Sequence, residues 1–472
     1  MPGFVGRQTQ LNSLDRLLGR IRSEINTDLP GRCILMRGRR RVGKSRLVEV
    51  FANRSGVPTL YFTASRQKSH ELELFAEAVV ESNLPNADLF RGTHLDNWDV
   101  ALRLLGQTLP HDTPSIVIFD EFPYLVEQDV SIEAIFQKQW DRILSHKPVL
   151  LILVGSDLAM MEALNSHDRA FYQRGTEMII PPLSPLETAQ IVGSPDETSA
   201  FDSYLITGGL PLICDDWPVG LSMWDYLEGA LSETTSALIV SAERSLAAEF
   251  PVEALAREVL GKIGAGETTF TNISRAAGGL QAVSASRALE LLTAKRIVIR
   301  EVPLSTKPSK EARYRVDDPY LRFWLTFIGP HLAEIERGRS DRVLARIKAS
   351  WTSWRGRAIE PIVRESLARL LPLDGLAAEA VGGYWTRTNV PEVDIIGADR
   401  NPLAKVITFA GSIKWLETEP FDNGDLNALA AATLQVPGAS KDTPLIAVSR
   451  SGVGPNVNAA FKFGPDDLIK AW

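Results

Sequence analysis

Residues 32–45 read Arg-Cys-Ile-Leu-Met-Arg-Gly-Arg-Arg-Arg-Val-Gly-Lys-Ser. The rest of the chain is organised around this stretch. Cys33-Ile34-Leu35-Met36 is a short apolar run, the pattern of a buried parallel strand. Gly38 to Ser45 fits G-x-x-x-x-G-K-[ST], a phosphate-binding loop. Gly38 and Gly43 let the backbone bend so that its N–H groups face phosphate oxygens. Lys44 is suited to the β/γ-phosphates and the Ser45 hydroxyl to Mg²⁺. Leu47, Val48 and Phe51 then fall on one face of a helix predicted over residues 44–53. Val42, Gly43, Lys44, Ser45 and Arg46 are thus the loop residues expected against a nucleotide, with ATP and Mg²⁺ as its ligands.

A second apolar run, Ser115-Ile-Val-Ile-Phe-Asp120-Glu121, ends in two acids roughly 75 residues further on. A buried strand that delivers carboxylates at its C-terminal edge suits this fold class, because α/β sheets bind ligands there. Asp120 is expected to hold Mg²⁺ through water, and Glu121 to activate the attacking water. A third run, Val149 to Val154, leads into Gly155-Ser156. Ser156 has two readings: a sensor of the γ-phosphate or lytic water, or the N-cap of a helix beginning near Asp157. Arg169 and Arg174 precede a short strand predicted over 177–180. An arginine there can stabilise transition-state charge, in cis or in trans, and the alternative is a solvated side chain.

The chain has 472 residues, enough for about three domains. With 44% hydrophobic and 23% charged residues it has the composition of a soluble globular protein. No run of about 18 apolar residues suggests a membrane span, and Met-Pro-Gly-Phe-Val-Gly-Arg lacks the apolar stretch of a signal peptide. Cys33 and Cys214 lie far apart in sequence, which fits a reducing cytoplasm rather than a disulfide frame or zinc site. The net charge of −7 is uneven. Residues 251–316 hold 11 Lys/Arg and 6 Asp/Glu, a net +5, which leaves −12 for the remainder.

Pro181-Pro182-Leu-Ser-Pro185 punctuates the end of the first domain, and short helices are expected over 186–249. From about Phe250 the pattern becomes three helices and two strands. Leu255, Val259, Leu260 and Ile263 line the first helix. Thr271 suits the N-cap of the second, and Ala288, Leu291 and Leu292 face inward on the third. Ile297–Ile299 and Tyr314–Val316 then flank a wing at Lys307-Pro-Ser-Lys310. This is a winged helix-turn-helix pattern, and its local +5 suits contact with double-stranded DNA, chiefly through phosphates. Arg287 serves that contact and Glu290 opposes it. Docking of a protein partner is the other use of such a module.

The chain resembles the archaeal-type P-loop ATPases, also found in bacteria, a branch related to AAA+ and origin-recognition ATPases. The matching pieces are Phe4-Val5-Gly6-Arg7, the phosphate loop, Tyr61-Phe62 and Phe119-Asp120-Glu121-Phe122. Gly155-Ser156, Tyr172-Gln-Arg174-Gly175 and Thr207-Gly208-Gly209-Leu210-Pro211 complete the set. The resemblance implies that Phe4, Gly6 and Arg7 lie against the adenine. It implies that the Gly-Gly-x-Pro turn belongs to a helical lid, and that Arg174 rather than Arg169 acts as the arginine finger, in a homo-oligomer if in trans. An Asp-x-Tyr-Leu-x-Phe-Trp segment like Asp318 to Trp324 follows the winged helix in this family.

The last part of the chain, with Glu360, Glu392-Val-Asp394 and Ser412-Ile-Lys414, resembles the family's restriction-endonuclease-like domain. Such folds place Asp on one strand and Glu-x-Lys on the next, where the carboxylates bind Mg²⁺ and the lysine supports hydroxide. Here Asp394 and Lys414 match, and Ser412 stands where Glu is expected. A hydroxyl is a poor ligand for a hard cation beside a carboxylate. Glu392 or Glu417 is placed to compensate, and Glu360 is the third candidate ligand.

The expected architecture is therefore α/β: a P-loop, AAA+-like parallel sheet over 1–185, a lid over 186–249 and a winged helix over 250–318. Connecting helices follow over 319–350, and a nuclease-like α/β domain over 351–472. The expected function is that of a cytoplasmic, ATP-hydrolysing regulatory or DNA-associated protein with a degenerate nuclease-like domain. The alternatives are an ATP-gated metal-dependent nuclease of a defence or mobile-element system, and an ATP-controlled signalling scaffold.

Overall fold

The computed structural model describes residues 4–65, 70–167, 169, 171–250 and 254–472. Residues 251–253, at the start of the expected winged helix, lie outside them. The chain forms two compact units, Met1–Pro182 and Leu183–Trp472.

The first unit is built on five parallel strands: β1 Arg32–Arg37, β2 Thr59–Thr63, β3 Ser115–Asp120, β4 Val149–Gly155 and β5 Gly175–Ile179. Their order is β2-β3-β4-β1-β5. Every residue of β3 and β4 is buried, which is why these strands read as unbroken apolar runs instead of alternating ones. One face is packed with aromatic rings, including Phe62, Phe75, Trp98, Phe119 and Phe136. β4 lies between β3 and β1. The chain leaves all three at the same edge, so the turns after β1, β3 and β4 are brought side by side although they come from distant parts of the sequence.

The second unit opens with helices Pro185–Val192, Glu197–Thr207, Met223–Ser232 and Ala237–Glu249. Gly208 and Gly209 both have positive φ, 60° and 65°. A Cβ on Gly209 would lie 2.1 Å from the Leu183 carbonyl oxygen, so the turn admits only glycine there. Next come helices Ala254–Gly264, Phe270–Ala276 and Ala282–Ala294, and the antiparallel pair β6 Val298–Glu301 and β7 Arg313–Val316. The N-cap of the middle helix is Thr269, whose hydroxyl accepts from Asn272 N, not the expected Thr271. Leu289 is buried on the third helix and Leu291 only partly so, a shift of the expected inward face.

The loop between β6 and β7 departs further from expectation. It is fastened to the C-terminal sheet of the same unit. Leu304 is buried in that sheet's core with Val393 and Ile396, and its N–H donates to the Gly383 carbonyl at 2.9 Å. Trp385 Nε1 donates to the Glu311 carbonyl at 2.8 Å. Lys307 and Lys310 at the tip remain exposed.

After helix Pro319–Phe327, a single helix runs Ser340–Leu370. The boundary expected between 350 and 351 falls inside it, so the connecting helices and the sheet region share one continuous element. The final sheet has order β12-β11-β10-β9-β8, formed by β8 Ala380–Trp385, β9 Glu392–Ala398, β10 Ile407–Lys414, β11 Leu445–Ser449 and β12 Phe461–Phe463. β8, β9 and β10 pair antiparallel; β10, β11 and β12 pair parallel. No described helix is long and apolar enough to cross a membrane.

Candidate functional site

The phosphate loop leaves β1 at Arg37 and enters helix Lys44–Ser55. Gly43, the helix N-cap, has φ 87°, and Arg41 has φ 67°, so the loop carries two left-handed residues in succession around Val42. A Cβ on Gly38 would sit 2.5 Å from the Ile180 carbonyl oxygen, which holds this position to glycine. Lys44 is buried at 5% exposure. Its Nζ donates to the Gly38 and Arg39 carbonyls at 2.8 and 2.9 Å. Burial lowers its pKa to about 8, against the opposing fields of Glu121 and Asp120. Ser45 and Arg46 are exposed on the first helical turn, and Val42 is fully buried.

Arg7 is buried and left-handed at φ 61°, and its Nη2 donates to the Val42 carbonyl at 2.8 Å. The Phe4-Val5-Gly6-Arg7 segment is thereby tied to the loop. Gly6, at φ 79°, supplies the bend.

Asp120 ends β3, and Glu121 follows in a left-handed conformation at φ 53°. That is a strained setting for a non-glycine residue, and such strain concentrates at functional sites. Asp120 Oδ1 accepts from the Glu121 N–H at 2.9 Å, and Oδ2 accepts from the Tyr61 hydroxyl at 2.7 Å. Burial first, then the charge of Asp120, raises the Tyr61 pKa above the ordinary phenol value. Tyr61 thus fixes the carboxylate of Asp120, one of the two residues expected to hold Mg²⁺. In the sequence Tyr61 carries no signal beyond its place in the Tyr61-Phe62 pair. Its neighbour β3 is set by strand order, which the sequence does not display.

Ser156 follows β4, and its Oγ donates to Glu121 Oε1 at 3.2 Å. The N-cap of helix Leu158–Ala163 is instead Asp157, which accepts from Met160 N at 2.9 Å. This displaces the capping alternative for Ser156. Arg169 makes a two-point pair with Glu133, at 3.0 and 2.6 Å. Arg174 donates from Nε to Asp141 Oδ1 at 2.8 Å and from Nη1 to the Tyr172 carbonyl. That pairing raises its pKa.

A second cluster of charged groups lies in the other unit. Asp394 Oδ2 accepts from the Ser412 hydroxyl at 2.9 Å and from the Ile413 N–H at 2.8 Å. Burial raises the Asp394 pKa in spite of both bonds. Glu360, on the long helix, is raised to about 7 by burial, against Arg364 and with Asp394 adding to the rise. Arg364 links the two: its Nη2 donates to Glu360 at 3.1 Å and its Nε to the Asp394 carbonyl at 2.7 Å. Lys414 Nζ instead donates to Asp425 at 2.8 Å. The two residues considered as substitutes for the missing acid are both in ion pairs, Glu392 with Arg313 at 2.6 Å and Glu417 with Arg355 at 3.0 Å. Among the described residues, no group of three or more His, Cys, Asp or Glu side chains is arranged to hold a metal ion. Arg364, Arg313 and Asp425 went unread in the sequence, since single charged residues on different elements carry no local signal.

A family described as archaeal and bacterial proteins of unknown function (DUF234) matches residues 324–424, the span that contains Glu360, Asp394 and Lys414. An uncharacterized protein of Methanocaldococcus jannaschii is 24% identical over 425 residues, covering 89% of each chain. Among solved structures, a Walker-type ATPase of Pyrococcus abyssi is similar over 68% of this chain and 96% of its own, with 18% identity and a TM-score of 0.47. The ORC2 protein of Aeropyrum pernix, in its ADPNP–ADP complexes, is similar over 74% of this chain and 96% of its own, with 16% identity and a TM-score of 0.46.

Proposed function

We propose that this protein binds and hydrolyses ATP at Gly38–Ser45, as a regulatory protein associated with DNA. The observation that carries the reading is the convergence of three turns at one sheet edge. Lys44 lies in the field of Asp120 and Glu121, Tyr61 holds Asp120, and Ser156 reaches Glu121. Ser45 and Asp120 supply hydroxyl and carboxylate oxygens, the donor set suited to Mg²⁺, which when bound neutralises phosphate charge. In this reading Lys44 exchanges its loop carbonyls for phosphate oxygens. Glu121, oriented by Ser156, takes the proton of the attacking water. Lys44→Ala should therefore abolish ATP binding or turnover. Glu121→Gln should retain ATP yet hydrolyse it slowly. Wild-type turnover in Lys44→Ala would overturn the assignment.

Association with DNA rests on the net +5 of residues 251–316 and on exposed Arg287, Lys307 and Lys310. Because the β6–β7 loop is fastened at Leu304 and Glu311, the contact is one of backbone charge, not groove insertion. Binding should fall steeply with salt, and Arg287→Ala with Lys307→Ala should weaken it alike on all sequences.

The C-terminal cluster is read as a nuclease-like site that no longer cuts. The Ser412 hydroxyl donates to Asp394, and the candidate substitutes Glu392 and Glu417 are held by arginines. The purified chain should show no cleavage of single- or double-stranded DNA with Mg²⁺ or Mn²⁺, with or without ATP. Robust cleavage that requires ATP and is abolished by Asp394→Ala would instead support the ATP-gated nuclease.

A further inference from the structure

The unit Leu183–Trp472 contains a cavity of about 440 Å³ between the end of helix Ala254–Gly264, β7, helix Pro319–Phe327 and the first half of helix Ser340–Leu370. This is within the size range of small-molecule sites. Its lining carries five basic side chains, Arg315, Arg322, His331, Arg346 and Arg357, and no Asp or Glu. Three of them are matched by acids that lie outside the lining. Arg315 pairs with Glu301 and Asp317, and both Arg346 and His331 pair with Glu334.

Arg322 and Arg357 differ. Among the described residues neither lies within ion-pair distance of an acid, and Glu360 and Glu301 act on Arg322 only through space. The position of Arg322 follows from Pro361. A proline has no N–H, so the carbonyl four residues before it, that of Arg357, loses its helical donor. Arg322 Nη1 donates to that carbonyl at 3.2 Å. The guanidinium is thereby fixed at the cavity wall, half-buried, and burial lowers its pKa to about 10. One bond to a neutral carbonyl leaves most of its five donors unassigned. The helix carbonyl at Gly264, which would repel an anion, already accepts from the Thr326 hydroxyl at 2.8 Å. The lining also carries the buried apolar side chains of Ile263, Phe327 and Trp354.

We infer that this cavity binds a small phosphate-bearing molecule, its phosphate held by Arg322 and Arg357 and its apolar portion resting against Trp354 and Phe327. A guanidinium fixed as that of Arg322 is, with the second cation of Arg357 in the same lining, suits phosphate oxygens in geometry as well as charge. None of these residues belongs to the phosphate loop, and the inference does not rest on ATP hydrolysis there.

The test is titration of the full chain with inorganic pyrophosphate by calorimetry, in a Lys44→Ala background that silences the phosphate loop. One saturable site is expected. Arg357→Ala, at an exposed position, should weaken it at least tenfold, about 1.4 kcal/mol. Ser353→Glu, which adds a like charge to the lining, should weaken it similarly. Circular dichroism of both variants checks that the fold is kept. Absence of pyrophosphate binding, or binding unchanged in both variants, would overturn the inference. So would short duplex DNA that displaces pyrophosphate competitively, because the arginines would then be reading a nucleic-acid backbone.

Discussion

The hydroxyl of Tyr61, at the end of β2, donates to Oδ2 of Asp120, at the end of β3, across 2.7 Å. Asp120 is expected to hold Mg²⁺ through water, and the phenol fixes which way its carboxylate faces. Partners of this kind typically matter ten- to a hundredfold in metal affinity. Tyr61→Phe should therefore raise the Mg²⁺ concentration needed for half-maximal ATPase activity by about tenfold. Binding of ATP without Mg²⁺ should be little changed. An unaltered Mg²⁺ dependence would show that the hydrogen bond is only structural.

The buried setting of Lys44 predicts a pH dependence. Its pKa is lowered to about 8 from the ordinary 10.5. Phosphate binds the protonated amine, so binding takes up a proton once pH passes that value. Affinity for a non-hydrolysable ATP analogue should be flat at neutral pH. It should then fall by up to about tenfold per unit above the lysine's pKa. An exposed P-loop lysine would keep its affinity up to about pH 10. Fluorescence titration from pH 7 to pH 9.5 separates these two outcomes.

Arg174 is held by Asp141 on a neighbouring helix. A finger acting in trans must leave this pair, which is partly exposed on both sides and therefore weak. Specific ATPase activity should rise with protein concentration. Arg174→Ala should be slow and recover when mixed with Lys44→Ala, and Asp141→Asn should raise turnover at low protein concentration. Concentration-independent turnover with no recovery on mixing would exclude the in-trans role.

Glu360 supplies a stability prediction. Its pKa is raised from the ordinary 4.5 to about 7, chiefly by burial. Below the ordinary value both folded and unfolded states are protonated. Between the two values only the unfolded state ionises, so stability declines as pH rises and levels off above about 7. Glu360→Gln removes that penalty. It should stabilise the full chain by roughly 1–3 kcal/mol at pH 8 and have little effect near pH 4.5. Urea unfolding at the two pH values measures this, and a loss of stability at pH 8 would mean that the Arg364 pair outweighs burial.

Much of the local form around the candidate phosphate loop is legible in the sequence because its elements are local. A glycine loop between an apolar run and an amphipathic helix, and an apolar run ending in Asp120-Glu121, are patterns of adjacent residues. Cys33 and Cys214, far apart in sequence, are both buried free thiols. Boundaries read less well. Thr269 displaced Thr271 as a cap and Asp157 displaced Ser156, because side-chain capping depends on a turn geometry that several nearby hydroxyls and carboxylates can satisfy.

Tertiary packing decided the remainder. Strand order put β4 between β1 and β3, and so brought Ser156 to Glu121 and, through β2, Tyr61 to Asp120. No periodicity in the chain encodes which strands are neighbours. Packing also fastened the β6–β7 loop to the C-terminal sheet through Leu304, although the Lys-Pro-Ser-Lys sequence beside it looks like a free tip. The arginines differ most between the two readings. In sequence they are alike, as cations without direction. In the fold each is defined by what faces it: Asp141 for Arg174, Glu392 for Arg313, and for Arg322 a carbonyl that Pro361 left without a donor. Motif chemistry is written in short spacings because the backbone enforces them. Charge pairing acts through space and across burial, and so it exists only once the chain has folded.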